Sequence, residues 1–183
     1  MEAVQRNEYY TYADYAKWTA KDRYEIADGM PYAMAPPSVT HQRIVGKLFR
    51  KIADFLTDKP CEVFVSPVGV RLNADKGDNT VFEPDIFVVC DESKISDEVI
   101  TGAPDMVVEV LSKSTALFDK VTKFNKYLEA GVREYWIIDP EDEKTAAVYI
   151  LRDEEYIARL YTETDVIPVH ILDGCIINLR DIF

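Results

Sequence analysis

A mixed central β-sheet covered by helices, an α/β (α+β) architecture, is the fold class this chain predicts, and three observations predict it. Two segments, Glu83-Pro84-Asp85-Ile86-Phe87-Val88-Val89 and Pro104-Asp105-Met106-Val107-Val108-Glu109-Val110-Leu111, are dense in Ile, Val and Phe, as strands of a sheet interior are. A helical pattern from Ser114 to Ala130 separates the second of them from the apolar run Tyr135-Trp136-Ile137-Ile138, the arrangement of a right-handed parallel crossover. A long amphipathic pattern from Ser38 to about Thr57 supplies a helix to cover the sheet.

The remaining elements follow in chain order. Thr11 to Trp18 reads as a short helix with an N-cap. Arg23-Tyr24-Glu25-Ile26-Ala27 and Met30-Pro31-Tyr32-Ala33-Met34 flank Asp28-Gly29, which predicts an N-terminal hairpin. In the helix after Ser38 the residues Ile44, Val45, Leu48, Phe49, Ile52, Phe55 and Leu56 recur at helical spacing, with the basic residues outside the stripe. Glu62 to Leu72 alternates through Val63, Val65, Val68 and Val70, and Pro67-Val68-Gly69 predicts a bulge or bend within it. Asn73 to Asn79 is a polar turn or loop, and Asp91 to Gly102 is charged and expected at the surface. Between Ser114 and Ala130 the apolar stripe is Leu117, Val121, Phe124 and Leu128, with Gly131 as the stop. Ala146 to Phe183 reads as a β-rich tail of short antiparallel strands.

The 183 residues are enough for one domain, 1–183, with a core over about 24–140 and a β-rich extension over 145–183. Glycine and proline are scattered, so no linker divides the chain, and no stretch approaches the roughly 18 apolar residues of a membrane span. Cys61, Cys90 and Cys175 lack metal-ligand spacing and are expected as buried thiols in a reducing cytoplasm, the expected location of the protein. A net charge of −12 argues against simple, tight binding to nucleic acid. Its distribution softens that objection: His41 to Lys51 has four basic residues and no acidic one, and Lys113 to Arg133 has five basic and two acidic. Charge runs of this kind equally describe solvated helix faces.

Chemistry concentrates on two carboxylates. Glu109 lies between Val108 and Val110, where an isolated ionised carboxylate must shift its pKa, pair with a cation or bind a metal. If Asp85 and Glu109 occupy neighbouring strands, their oxygens suit Mg²⁺ or Mn²⁺, and a lysine from the next helix would neutralise charge on a phosphate. The plainer readings are that Asp85 caps a strand and that Lys123 is a surface lysine paired with Asp119 at i,i+4. Asp105 shares a strand face with Glu109, but four residues of strand span about 13 Å, so it reads as a strand-entry residue.

Several strings, in order, carry a resemblance. Tyr24-Glu25 … Asp28-Gly29, Ala35-Pro36-Pro37-Ser38 … His41-Gln42 and Glu83-Pro84-Asp85 come first. Pro104-Asp105 … Glu109-Val110-Leu111-Ser112, Asp119 … Lys123 … Tyr127 and Gly131-Val132-Arg133-Glu134-Tyr135-Trp136 … Asp139-Pro140 follow. Together, from Tyr24 to Pro140, they resemble the Uma-two family of restriction endonucleases. The resemblance implies a restriction-endonuclease-like fold of the PD-(D/E)XK superfamily, a mixed sheet flanked by helices. It implies that Asp85 is the first acidic metal ligand and Glu109 the second, with Mg²⁺ (or Mn²⁺) as cofactor. Two residues after Glu109 stands Leu111, where the superfamily signature has a lysine; the resemblance implies that Lys123 takes that part from the following helix. Helical periodicity does not select Lys123, which points away from the Leu117 stripe, while Lys120 lies nearer its edge. Glu25 resembles an additional N-terminal acid of some members, suited to a second metal or a water, though a hairpin position also suits solvent. His41 fits contact with phosphate or a carboxylate, or plain helix capping and packing.

The expected function is therefore metal-dependent hydrolysis of phosphodiester bonds in nucleic acid, DNA foremost, by a Mg-dependent endonuclease without a membrane and acting as a homodimer. Asp85, Glu109, Lys123 and Glu25 are the catalytic candidates, Asp85 and Glu109 the metal ligands, and His41 a supporting or substrate-binding residue. The alternative is a catalytically inactive restriction-endonuclease-like interaction or dimerisation domain, for which Leu111 and the net negative charge speak.

Overall fold

The computed structural model describes residues 9–19, 23–112, 116–141 and 144–183. The Thr11 N–H and Oγ1 donate to the Asp14 carboxylate at 3.0 and 3.1 Å and start α1 (Tyr12–Tyr15). β1 (Tyr24–Ala27) and β2 (Met30–Ala33) pair antiparallel across Asp28-Gly29, whose φ values of 49° and 79° are those a two-residue hairpin turn demands. α2 (Val39–Leu56) begins where the Ser38 Oγ accepts from the His41 N–H at 3.1 Å, and it buries Ile44, Val45, Leu48, Ile52 and Leu56.

The alternating run from Glu62 to Leu72 divides into β3 (Glu62–Val65) and β4 (Val70–Arg71), and the two pieces join different sheets. Pro67, which follows a cis peptide bond, cannot donate to a ladder, and a Cβ at Gly69 would meet the Tyr15 Oη at 3.1 Å. β5 (Val81–Phe82) and β6 (Ile86–Val89) follow. Inside the segment expected at the surface, β7 (Ile100–Thr101) pairs parallel to β4, and Val99 and Ile100 are buried. After β8 (Met106–Val110) the chain passes through a π-helical stretch, Phe118–Lys123, into α3 (Phe124–Ala130), which Gly131 stops at φ 84°. The start of that helix expected at Ser114 lies outside the described residues. β9 (Glu134–Asp139), β10 (Thr145–Arg152), β11 (Glu155–Thr162), β12 (Val166–Pro168) and β13 (Ile176–Asn178) complete the order. At eight residues each, β10 and β11 exceed the short strands expected of the tail.

Six strands form the central sheet in the order β11-β10-β9-β8-β6-β3. β8 and β9 run parallel, as the crossover predicts, and the other neighbours are antiparallel, so the sheet is mixed. A second sheet, β2-β1-β5-β4-β7, carries the hairpin. Strand alternation decides which layer each residue meets. Met106, Val108 and Val110 face α2 and the tail, whereas Val107 faces the layer containing Tyr127 and the second sheet. Glu109, two residues on, emerges on that same face.

The expected thiols are corrected at two positions. Cys61 and Cys90 form a disulfide, because the β3–β6 ladder that pairs Glu62 with Val89 brings the flanking residues opposite one another; Cys175 is free and buried. Among the described residues no helix is long and apolar enough to cross a membrane.

Glu134 anchors the tail to the sheet. It is fully buried, and burial raises its pKa; its two oxygens accept from the Trp136 Nε1 at 2.7 Å and the Ile171 N–H at 2.9 Å. In Glu134→Gln an amide NH₂ must face one of those donors, so a loss of about 1–3 kcal/mol is expected, read as a lower urea midpoint with faster amide exchange at Ile171. An unchanged midpoint and exchange rate contradict the anchoring role.

Candidate functional site

The register of β6 and β8 pairs Ile86 with Val108, so one step further Asp85 stands opposite Glu109 at the end of the sheet. Like charges so placed repel, and donors from β8, α2 and the helical connection to β9 offset this. The Val110 N–H donates to Asp85 Oδ2 at 2.8 Å, and His41 Nε2, from the first turn of α2, lies 3.0 Å from the same oxygen. Asp85 N–H makes a longer contact, 3.4 Å, with Glu109 Oε2. Glu109 Oε1 accepts from Lys123 Nζ and from Tyr127 Oη, both at 2.8 Å.

Lys123 is the centre of the cluster. Its ammonium lies 2.8 Å from Glu109, 2.9 Å from Glu25 Oε1 and 3.6 Å from Asp119 Oδ1, with the rings of Phe82 and Phe118 beside it. Glu25 reaches it from β1 because that strand pairs with β5, and the Glu83 N–H, just past β5, donates to Glu25 Oε1 at 2.8 Å. The lysine is 4% exposed, which settles its reading as a surface lysine in favour of burial.

The apolar stripe expected for this helix is not the buried one. Leu117 and Val121 are exposed at 78% and 49%, whereas Asp119, Lys123 and Tyr127 are buried. Two physical causes combine. The π-helical stretch widens the turn and shifts the phase on which the periodicity rested. The face turned inward also carries an acid, a base and a phenol, which an apolar template passes over. The i, i+4, i+8 spacing of Asp119, Lys123 and Tyr127 was the signal available in the sequence. Lys120, nearer the expected stripe, is half exposed and lies 3.6 Å from Asp139.

Burial and pairing set the protonation of the cluster. Burial acts to lower the Lys123 pKa, but Glu109, Glu25 and Asp119 outweigh it and raise the value, so the ammonium stays charged. Burial raises Glu25 and drives Glu109 well upward, against the attraction of Lys123. One ammonium thus faces three carboxylates. Burial opposes the charged form of His41, yet its hydrogen bond to Asp85 prevails and raises its pKa. Its Nδ1 is the one buried side-chain nitrogen or oxygen without a partner among the described residues.

These groups form the floor of a cavity of about 660 Å³, walled by Tyr15, Trp18, Met34, Pro36 and Pro37, with Arg23 and Gln42 also lining it. Asp105, by contrast, is at the far end of β8, where its carboxylate accepts from the Cys90 N–H at 2.7 Å and meets Arg133 at 3.3 Å. His170 lies away from the cavity, beside Arg152.

A divalent cation fits the donor set. Lys123 and Tyr127 hold Glu109 Oε1, and Val110 and His41 hold Asp85 Oδ2, so the hard donors that would face a cation are Asp85 Oδ1 and Glu109 Oε2, the latter with only the 3.4 Å contact from the Asp85 N–H. Among the described residues no group of three or more His, Cys, Asp or Glu side chains forms a metal cage. Two carboxylates with the rest of the shell left to water and phosphate is the habit of Mg²⁺.

Comparisons with known proteins agree with this architecture. A family model described as "Putative restriction endonuclease", Uma2, matches residues 11–180. Two uncharacterized proteins of Synechocystis sp. are similar: sll1609 is 31% identical over 66% of this chain and 68% of its own length. The second, slr1290, is 32% identical over 62% of this chain and 60% of its own. The crystal structure of "a putative nuclease belonging to DUF820" from Anabaena variabilis superposes with a TM-score of 0.76, covering 95% of this chain and 97% of that one at 20% identity. At that identity the likeness is one of fold.

Removing the ammonium leaves buried carboxylates unpaired. Lys123→Met is expected to lose about 3–5 kcal/mol at neutral pH. The pH dependence has a definite sign. Glu25 and Glu109 have folded pKa values above the unfolded one, so their ionisation opposes folding, and stability rises as pH falls through the folded values toward the unfolded value. Lys123→Met enlarges that dependence, and urea melts at neutral pH and at about pH 5 should show the deficit shrinking in acid. A deficit that is absent, or the same at both pH values, contradicts the cluster's electrostatics.

Proposed function

The chain belongs to the Uma2 family of restriction-endonuclease-like proteins, and on that premise we propose that it is a nuclease that hydrolyses phosphodiester bonds of nucleic acid with the help of Mg²⁺ or Mn²⁺. The observation that carries the proposal is the meeting of Asp85, Glu109 and Lys123, from three separate elements, at the floor of one cavity.

Asp85 Oδ1 and Glu109 Oε2 would hold the cation. When bound, it would supply Lewis-acid charge to phosphate oxygens and acidify water. The protein's own groups do the rest. Tyr127 and Lys123 fix the orientation of Glu109, while His41 and the Val110 N–H fix that of Asp85. Lys123, kept charged by its surroundings, stabilises negative charge as it develops on the phosphate. Glu25 also holds the ammonium, at 2.9 Å. Water oxygen forms the new P–O bond, the ester P–O bond breaks, and the leaving oxygen takes up a proton. DNA is the first substrate to test.

An inactive interaction domain was favoured by Leu111, which left no lysine on the second strand. The net charge of −12 spoke for it as well; Lys123, whose ammonium lies 2.8 Å from that strand's carboxylate, supplies the base that Leu111 lacks and supports the nuclease reading.

Two measurements test the proposal. Cleavage of a panel of DNA and RNA substrates with Mn²⁺ should fall by roughly a hundredfold or more in Asp85→Asn and in Glu109→Gln. Activity equal to wild type in both variants contradicts the assignment. In a thermal melt, Mn²⁺ should raise the midpoint of the wild type saturably and leave that of Glu109→Gln unmoved; an equal rise in both contradicts the ligand set.

A further inference from the structure

The central sheet ends in an edge that no other described strand covers. β11 is eight residues long, pairs with β10 along its whole length, and contains neither proline nor glycine. It is the last strand in the sheet order, so among the described residues its outer side faces no other strand. Natural edge strands are ordinarily shortened, bulged, covered or interrupted by proline, because an open row of N–H and C=O groups recruits further strands. β11 is not short, is not interrupted by proline and is not covered by another described strand; the charges it carries, Glu155 and Arg159, are of opposite sign, and it exposes Ile157 at 57% and Leu160 at 68%.

The direction of its free groups follows from the ladder. Leu151 N–H donates to the Arg133 carbonyl, away from β11, so in β10 the even-numbered residues turn their main-chain groups toward β11. Their partners in β11 are Glu155, Ile157, Arg159 and Tyr161. Tyr156, Ala158 and Leu160 therefore carry their N–H and C=O groups outward. Thr162 agrees with this phase, since its outward N–H is taken by the Asp165 carboxylate at 2.7 Å.

We propose that β11 is a self-association edge that pairs antiparallel with β11 of a second copy of this chain, centred on Ile157. The register is chosen by charge. About a two-fold axis at Ile157, Glu155 of each copy faces Arg159 of the other, and this occurs twice. Tyr156 faces Ala158, also twice, and both are residues with outward main-chain groups, so each such pair exchanges two hydrogen bonds. Ile157 meets its own copy at a non-hydrogen-bonded position, where the Cα atoms are about 4.5 Å apart and side chains touch. Moving the axis to Ala158 sets Ile157 against Arg159 and Glu155 against Tyr161; moving it to Arg159 sets Glu155 against Glu163. The Ile157 axis alone among these makes two ion pairs and an apolar centre. A foreign strand would need no such two-fold complementarity, which is why a second copy is the occupant. β11 is separated from Glu109 by β10 and β9, so pairing leaves the cavity open.

Analytical ultracentrifugation of the full chain over a wide concentration range, with charge-reversal variants, tests the interface without reference to nuclease activity. Wild type should dimerise. Glu155→Arg alone and Arg159→Glu alone should each weaken the dimer roughly ten- to hundredfold, since each turns two attractive pairs into repulsive ones. The double variant Glu155→Arg with Arg159→Glu should recover the dimer. Ile157→Cys should form a disulfide-linked dimer under mild oxidation, because Cys61 and Cys90 are already joined and Cys175 is buried. Circular dichroism and an unchanged Mn²⁺ thermal shift would show that each variant is folded. A wild type that stays monomeric, a dimer indifferent to single reversals, no recovery in the double variant, or no Ile157→Cys cross-link would each overturn the proposal. So would association of β11 with a different protein in place of a second copy.

Discussion

Lys123 and the carboxylates around it are the constraint on which the candidate site depends. Three buried acids from two strands and a helix converge on one ammonium, and none of the four groups would be tolerated there alone. The lysine is held charged because it is surrounded, and the acids are held near one another because it is charged. The cluster also ties layers together: Glu25 comes from the second sheet, Glu109 from the central sheet, and Asp119 and Lys123 from the helical stretch between β8 and β9. An arrangement that gathers more carboxyl groups than cations at the floor of a cavity is poised for a cation, which is the physical content of the proposed metal dependence.

The fold delivers these groups by simple means. Alternation along β8 turns Glu109 away from α2 and toward the lysine. Antiparallel pairing with β6 sets Asp85 across from Glu109. The parallel crossover to β9 requires a helical connection, and its path over the sheet lowers Lys123 and Tyr127 onto Glu109. α2 presents His41 from its first turn because Ser38 caps the helix there. Each step is local, but the site exists only where all of them meet.

Much of this was legible in the residues. The Asp28-Gly29 hairpin, α2 and the β8-helix-β9 crossover were readable because each is written in a binary pattern or a turn signal that packing then respects. The Asp85 and Glu109 positions stood out because acids interrupted buried strands. What escaped the pattern has physical reasons. The helix carrying Lys123 inverts the usual rule, hiding polar residues and exposing Leu117 and Val121, and its π-helical turn breaks the 3.6-residue phase. Glu25 is buried by a pairing between β1 and β5, separated by more than fifty residues, which no local signal announces. The Cys61–Cys90 bond likewise depends on the register of β3 against β6, and the cysteine count alone concealed it.

If the proposed function holds, Asp85 and Glu109 together present a cation site on the edge of the Lys123 cluster. Anomalous diffraction from crystals grown with Mn²⁺ tests it most directly. A peak is expected within about 2.0–2.3 Å of Asp85 Oδ1 and Glu109 Oε2, with Lys123 still in contact with Glu109 Oε1. A peak at some other group of side chains, or none at saturating Mn²⁺, would contradict it.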